Sequence, residues 1–138
     1  MNRDCPEDPF EDALIDAGHR FGWRAHAERR SRSASGKHAT AIKGDRGWPD
    51  VVLAHESKGL VIVELKAQTG SFGEGQIDWL ETIDRAAGTG RVLVAVWRPC
   101  DWEFIVVCLQ YGVDVYRKLV AEIPLPSTVG RRKLPDLS

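Results

Sequence analysis

A chain of 138 residues with a formal net charge of −1 and a 43% hydrophobic share is long enough to close one domain around a core. No apolar run approaches the roughly 20 residues that a bilayer-spanning helix needs, and the acidic, polar start does not read as a signal peptide. Membrane and secretory classes are therefore set aside, and the expected compartment is the cytoplasm, of the host cell if a virus encodes the chain.

The near-neutral total hides an asymmetry. Residues 1–16 hold six acids against Arg3, a net of −5, and Asp8-Pro9-Phe10-Glu11 reads as a helix start capped by Asp8. Phe10, Leu14, Ala17 and Phe21 recur at helical spacing, and Gly22 closes the element. A weak strand is expected over 23–29. From Arg24 to Arg46, seven basic residues stand against Glu28 and Asp45, a net of +5, and the Ser- and Gly-rich stretch over 31–47 reads as a loop. Two strands follow, over 49–55 and 59–66, joined by the turn Glu56-Ser57-Lys58-Gly59. Both carry consecutive apolar residues, as expected for strands covered on both faces. Ser71-Phe72-Gly73-Glu74 has the spacing of a capping box and predicts a helix to Ala87 with Ile77, Leu80 and Ile83 on its apolar stripe. A strand over 91–97 and a short helix capped by Asp101 come next, and beyond Gly112 the pattern fades. The order αβββαβα predicts an α/β domain with a mixed central sheet flanked by helices over 1–110. Residues 111–138 read as a basic, partly extended C-terminal extension of the same structural unit. Cys5, Cys100 and Cys108 fit neither a disulfide framework nor a zinc pattern and read as free thiols.

The chemistry concentrates in Pro49-Asp50 and, fourteen positions later, Glu64-Leu65-Lys66. If the hairpin folds about Ser57, Asp50 and Glu64 come opposite each other with Cβ atoms about 5 Å apart. Two carboxylates that close repel, and a divalent cation relieves the repulsion. Oxygen donors without histidine or thiolate favour Mg²⁺, with Mn²⁺ able to substitute, and the Leu65 carbonyl is a further candidate ligand. Lys66, two residues after Glu64, leaves the same face and can offset charge developing on a phosphate. Gln76 stands at the edge of its helix's core-facing stripe and points toward this site. Glu11 is a candidate additional carboxylate.

Gly47-Trp48-Pro49-Asp50, Glu64-Leu65-Lys66, Gly70-Ser71 and Gln76-Ile77-Asp78-Trp79-Leu80 resemble the virus-type replication-repair nuclease (VRR-NUC) domain, a family of the PD-(D/E)XK nuclease superfamily. Val96-Trp97-Arg98-Pro99-Cys100-Asp101-Trp102 also looks like the strand-to-helix passage of its stand-alone members. The resemblance implies an αβββαβ restriction-endonuclease-like core. It implies metal ligation by Asp50 and Glu64, a catalytic Lys66, an active-site Gln76 and an acidic first-helix residue at Glu11. Stand-alone members are similar to Holliday-junction resolvases and work as homodimers.

For DNA contact the sequence offers Arg29, Arg30, Arg32, Lys37, Lys43 and Arg46, with Ser71 a helix cap that also suits a phosphate. Trp48, Trp79, Trp97 and Trp102 read as core and site-lining residues rather than base-stacking platforms. The four histidines show no paired metal spacing. The expectation is a Mg²⁺-dependent, structure-selective endodeoxyribonuclease, a homodimeric Holliday-junction resolvase that binds branched or four-way DNA and no membrane. Its alternatives are a restriction-like or flap-specific nuclease of the same fold and a DNA-binding module that does not cut.

Overall fold

The computed structural model describes residues 7–28 and 43–128. Helix α1 (Glu7–Arg20) leads to strand β1 (Arg24–Ala27), and β2 (Val51–His55) and β3 (Gly59–Leu65) form the hairpin. Helix α2 (Gln76–Ala87) crosses over to β4 (Val92–Trp97), and α3 (Trp102–Tyr111) and α4 (Val113–Glu122) close the chain. Short 3₁₀ turns lie at Pro99–Asp101 and Pro126–Thr128.

The sheet runs in chain order, β1-β2-β3-β4, with the first two pairings antiparallel and the last parallel. It is the mixed sheet flanked by helices that the sequence predicts. Helix α1 begins at Glu7, so Asp8 lies inside its first turn instead of ahead of it. Its C-terminus ends as expected. Gly22 turns left-handed at φ 87°, the Trp23 N–H reaches the Gly18 carbonyl at 2.9 Å, and the Gly22 N–H reaches His19 at 3.1 Å. This double bond satisfies carbonyls that the helix end would otherwise leave open.

Alternation along the strands splits the interior in two. Val51, Leu53, Val61, Val63, Leu65, Leu93, Ala95 and Trp97 point one way, into a core closed by α1, α3 and α4. Val94 and Val96 point the other way and meet Leu80 of α2, with Phe72 and Ile83 alongside. Coverage of β2 on both faces is not realised: Val51 and Leu53 are buried, Val52 is half-buried and Ala54 is exposed. Helix α2 packs chiefly on β4.

Beyond Gly112, where the sequence pattern fades, the chain is helical over Val113–Glu122. Gly112, at φ 103°, passes so close to Lys58 that a Cβ would sit 3.1 Å from its carbonyl oxygen. From there α4 buries Val113 and Tyr116, whose hydroxyl accepts the Trp97 indole N–H at 2.9 Å. A helix of ten residues with two buried anchors belongs to the same core, so 111–122 is part of the domain. The basic cluster Arg131-Arg132-Lys133 lies outside the described residues.

Candidate active site

The hairpin register determines what the two acids can do. Val51 faces Val63, Val52 faces Ile62, and His55 faces Gly59. Continued by one residue, that register sets Asp50 opposite Glu64 on the sheet face that carries α2. The Asp50 carboxylate is tied there, its Oδ2 accepting the Leu65 N–H at 2.9 Å. Glu64 is completely buried, between Ile62 and Lys66 on the same face and beside Val96 of β4. Removing a carboxylate from water is costly unless charge or donors compensate it.

Lys66 follows at 5% exposure. Its Nζ donates to Gln76 Oε1 at 2.7 Å and lies 5.3 Å from the centre of the Phe72 ring. Gln76 Oε1 also accepts the Gly73 N–H at 2.6 Å, so one amide oxygen braces the lysine and closes the loop before α2. That bond explains why Ser71 is not the cap. The helix starts at Gln76 behind a left-handed Gly75 at φ 79°, and Ser71 is exposed in the loop ahead of it.

Gly75 also brings α2 against the segment before Asp50. A Cβ on Gly75 would stand 2.2 Å from the Arg46 carbonyl oxygen, and one on Gly47 would stand 2.4 Å from the Gly75 carbonyl carbon. Only two glycines allow the chains to touch in this way. Beside the crossing, the Trp79 indole N–H donates to the Asp45 carbonyl at 3.2 Å, and the Trp48 and Trp79 rings meet edge to face at 5.0 Å.

The far side of the site is clamped to the end of β4. The Lys66 N–H donates to the Trp97 carbonyl at 3.0 Å, and Arg98 Nη1 donates to the Ala67 carbonyl at 2.6 Å. Gln68 Oε1 takes the Cys100 N–H. Asp101 stands at the head of α3 but does not cap it. Its buried carboxylate accepts the Arg98 N–H and the Ser127 N–H, each at 2.9 Å, tying the last 3₁₀ turn to the clamp. Sequence reasoning missed Arg98 and Gln68. The available signal was an arginine between a fully apolar strand and a proline, a place where a long side chain folds back on the sheet end.

The sequence-predicted residues thus divide. Asp50, Glu64, Leu65, Lys66 and Gln76 come together. Glu11 is half-buried on α1, next to Phe10 of the opposite core. Among the described residues no group of three or more His, Cys, Asp or Glu side chains is placed to hold a metal ion, so Glu11 does not complete a three-acid shell with the pair. Two carboxylates and a main-chain carbonyl, all oxygen, still fit Mg²⁺, which is held by one or two protein carboxylates and completes its shell with waters and phosphate oxygens. Lys43, Arg46 and Ser71 are exposed, while Arg29, Arg30, Arg32 and Lys37 lie outside the described residues. Cys100 and Cys108 are free thiols, as expected, and no helix among the described residues is long and apolar enough to cross a membrane. No family model, no curated protein and no solved structure matches the chain.

Proposed function

We propose that the chain is a Mg²⁺-dependent endodeoxyribonuclease of PD-(D/E)XK type, related to the virus-type replication-repair nucleases and acting on branched DNA as a homodimer. What supports this reading is the hairpin register, which, continued by one residue, sets Asp50 opposite Glu64 with Lys66 on the same face. A binding module has no need to set two acids against each other at one end of its sheet.

Asp50, Glu64 and the Leu65 carbonyl are the groups that would hold Mg²⁺, or Mn²⁺ in its place. The bound ion supplies positive charge that polarises the scissile phosphate and makes an attacking water more acidic. The protein's own contribution is positioning. The Leu65 N–H fixes one Asp50 oxygen, and Gln76 fixes the Lys66 amine. An ammonium carries three donors, so the bond to Gln76 leaves two for a phosphate oxygen or the attacking water. Exposed Lys43 and Arg46, just upstream of Asp50, supply phosphate contacts independent of sequence. Two symmetry-related sites suit a four-way junction, which needs paired nicks.

The test is cleavage with Mg²⁺ of four-way, flap, single-stranded and linear DNA. The expected result is nicking of branched substrates, lowered on the order of 100-fold or more by Asp50→Ala while binding to the same DNA persists. A parent protein that binds every substrate and cuts none would leave the non-cleaving alternative in its place.

A further inference from the structure

Trp48 differs from the other tryptophans. Trp23 and Trp97 are buried and Trp79 and Trp102 half-buried, but Trp48 is 43% exposed, directly before the buried Pro49. The sequence reads it as a core or site-lining residue, and the structure leaves it outside the core. A single exposed apolar side chain is ordinary; the manner in which this one is held is not. Its ring stands edge-on to Trp79 at 86°, and Trp79 is itself bonded to the Asp45 carbonyl. The glycine crossing fixes its main chain on the preceding side, at Gly47 against Gly75. Two residues further on is Asp50, and the exposed cations Lys43 and Arg46 come shortly before it.

We propose that Trp48 is a stacking platform for an unpaired nucleobase at a DNA branch point, and that it sets the preference for branched over linear substrate. The proposal rests on the nuclease reading and supplies its specificity element. In continuous duplex each base is already stacked on its neighbours, so an aromatic ring gains nothing. At a junction, flap or loop one base face is free, and stacking it on an aromatic side chain strengthens binding by about 10-fold. A ring already held in place loses little freedom on binding, so that gain is kept. The position beside Asp50 places the unstacked nucleotide next to the phosphate to be cut.

The experiment uses the full chain and a four-way junction with 2-aminopurine at the branch nucleotide, first without Mg²⁺ so that the DNA stays intact. The parent and Trp48→Phe should quench the 2-aminopurine on binding, and Trp48→Ala should not, binding the junction about 10-fold more weakly. With Mg²⁺, Trp48→Ala should lose about 10-fold more rate on the junction than on linear duplex, and Trp48→Phe should recover most of the difference. Equal quenching by all three proteins would overturn the proposal. So would a Trp48→Ala protein that changes oligomeric state, which would mean that the ring covers a second copy of the chain. Failure of the parent to cut any DNA would defeat the nuclease reading instead, because quenching is read without cleavage.

Discussion

On the face of the sheet covered by α1, α3 and α4, three helices close over apolar strand residues, and the polar atoms of Trp97 and Tyr116 are bonded to each other. On the opposite face one helix covers β4, a small cluster of Leu80, Val94 and Val96 does the packing, and the strand beside it carries Ile62, Glu64 and Lys66. The first face contributes most of the stability. The second holds Glu64 and Lys66 as buried charge, and it lies at the carboxyl end of the parallel β3–β4 pair. A crevice outside the carboxyl ends of parallel strands is where α/β sheets place ligands. Helix α2 starts there because the β3-to-β4 crossover must, and Gln76 arrives within reach of Lys66 as a result.

Three groups of tests sharpen the contrast. The largest effect is expected on the thinner face. Glu64→Gln keeps the shape and removes the charge, so Mg²⁺-dependent cleavage should fall on the order of 100-fold or more. Mg²⁺ should then stabilise the parent and not the variant. A Glu64→Gln protein that cuts at the parent rate would erase the distinction between the faces. The next effect is on the thicker face. Trp97→Ala should cost about 3–5 kcal/mol in urea unfolding, and Leu80→Ala about 2–3 kcal/mol, because the small α2 cluster can collapse around the gap. The reverse order would show that α2 carries more of the fold than its packing suggests.

The last effect is set by pH and is the smallest for each group and pH unit. Burial pushes the Cys108 thiol from 9.0 to about 12, opposed by Arg117. Burial also raises the Tyr116 hydroxyl, although the Trp97 indole N–H pulls it down. Both groups are neutral when protonated, and both hold their protons longer folded than unfolded. Their contribution is therefore complete below about pH 9, and each then costs up to about 1.4 kcal/mol per pH unit as pH rises toward its folded value. Unfolding followed from pH 8 to 11 should show that decline, shallower in Cys108→Ala. A flat profile would mean that water reaches this core.

The hairpin was legible because two apolar runs and one turn admit only one register that buries both, and that register alone decides which residues oppose Asp50. The face of Lys66 followed from strand periodicity. The start of α2 was not legible. A serine, then a glutamate three residues later, has the cap spacing, but the start was taken over by Gly75, in a left-handed turn against residues 46 and 47, and by the Gln76 side chain, which accepts the Gly73 N–H. Helix α4 was hidden for a similar reason. Val113 and Tyr116 look like isolated apolar residues until Gly112 swings them back onto the core against Trp97. The exposure of Trp48 was equally invisible, because a tryptophan beside a proline gives no sign of which of the two will be buried.

Gly47 and Gly75 also constrain how the chain can be redesigned. Main-chain atoms meet there, so a side chain at either position cannot be accommodated by trimming a neighbour. The two loops are locked as a pair, and a substitution at either glycine must shift both of them together.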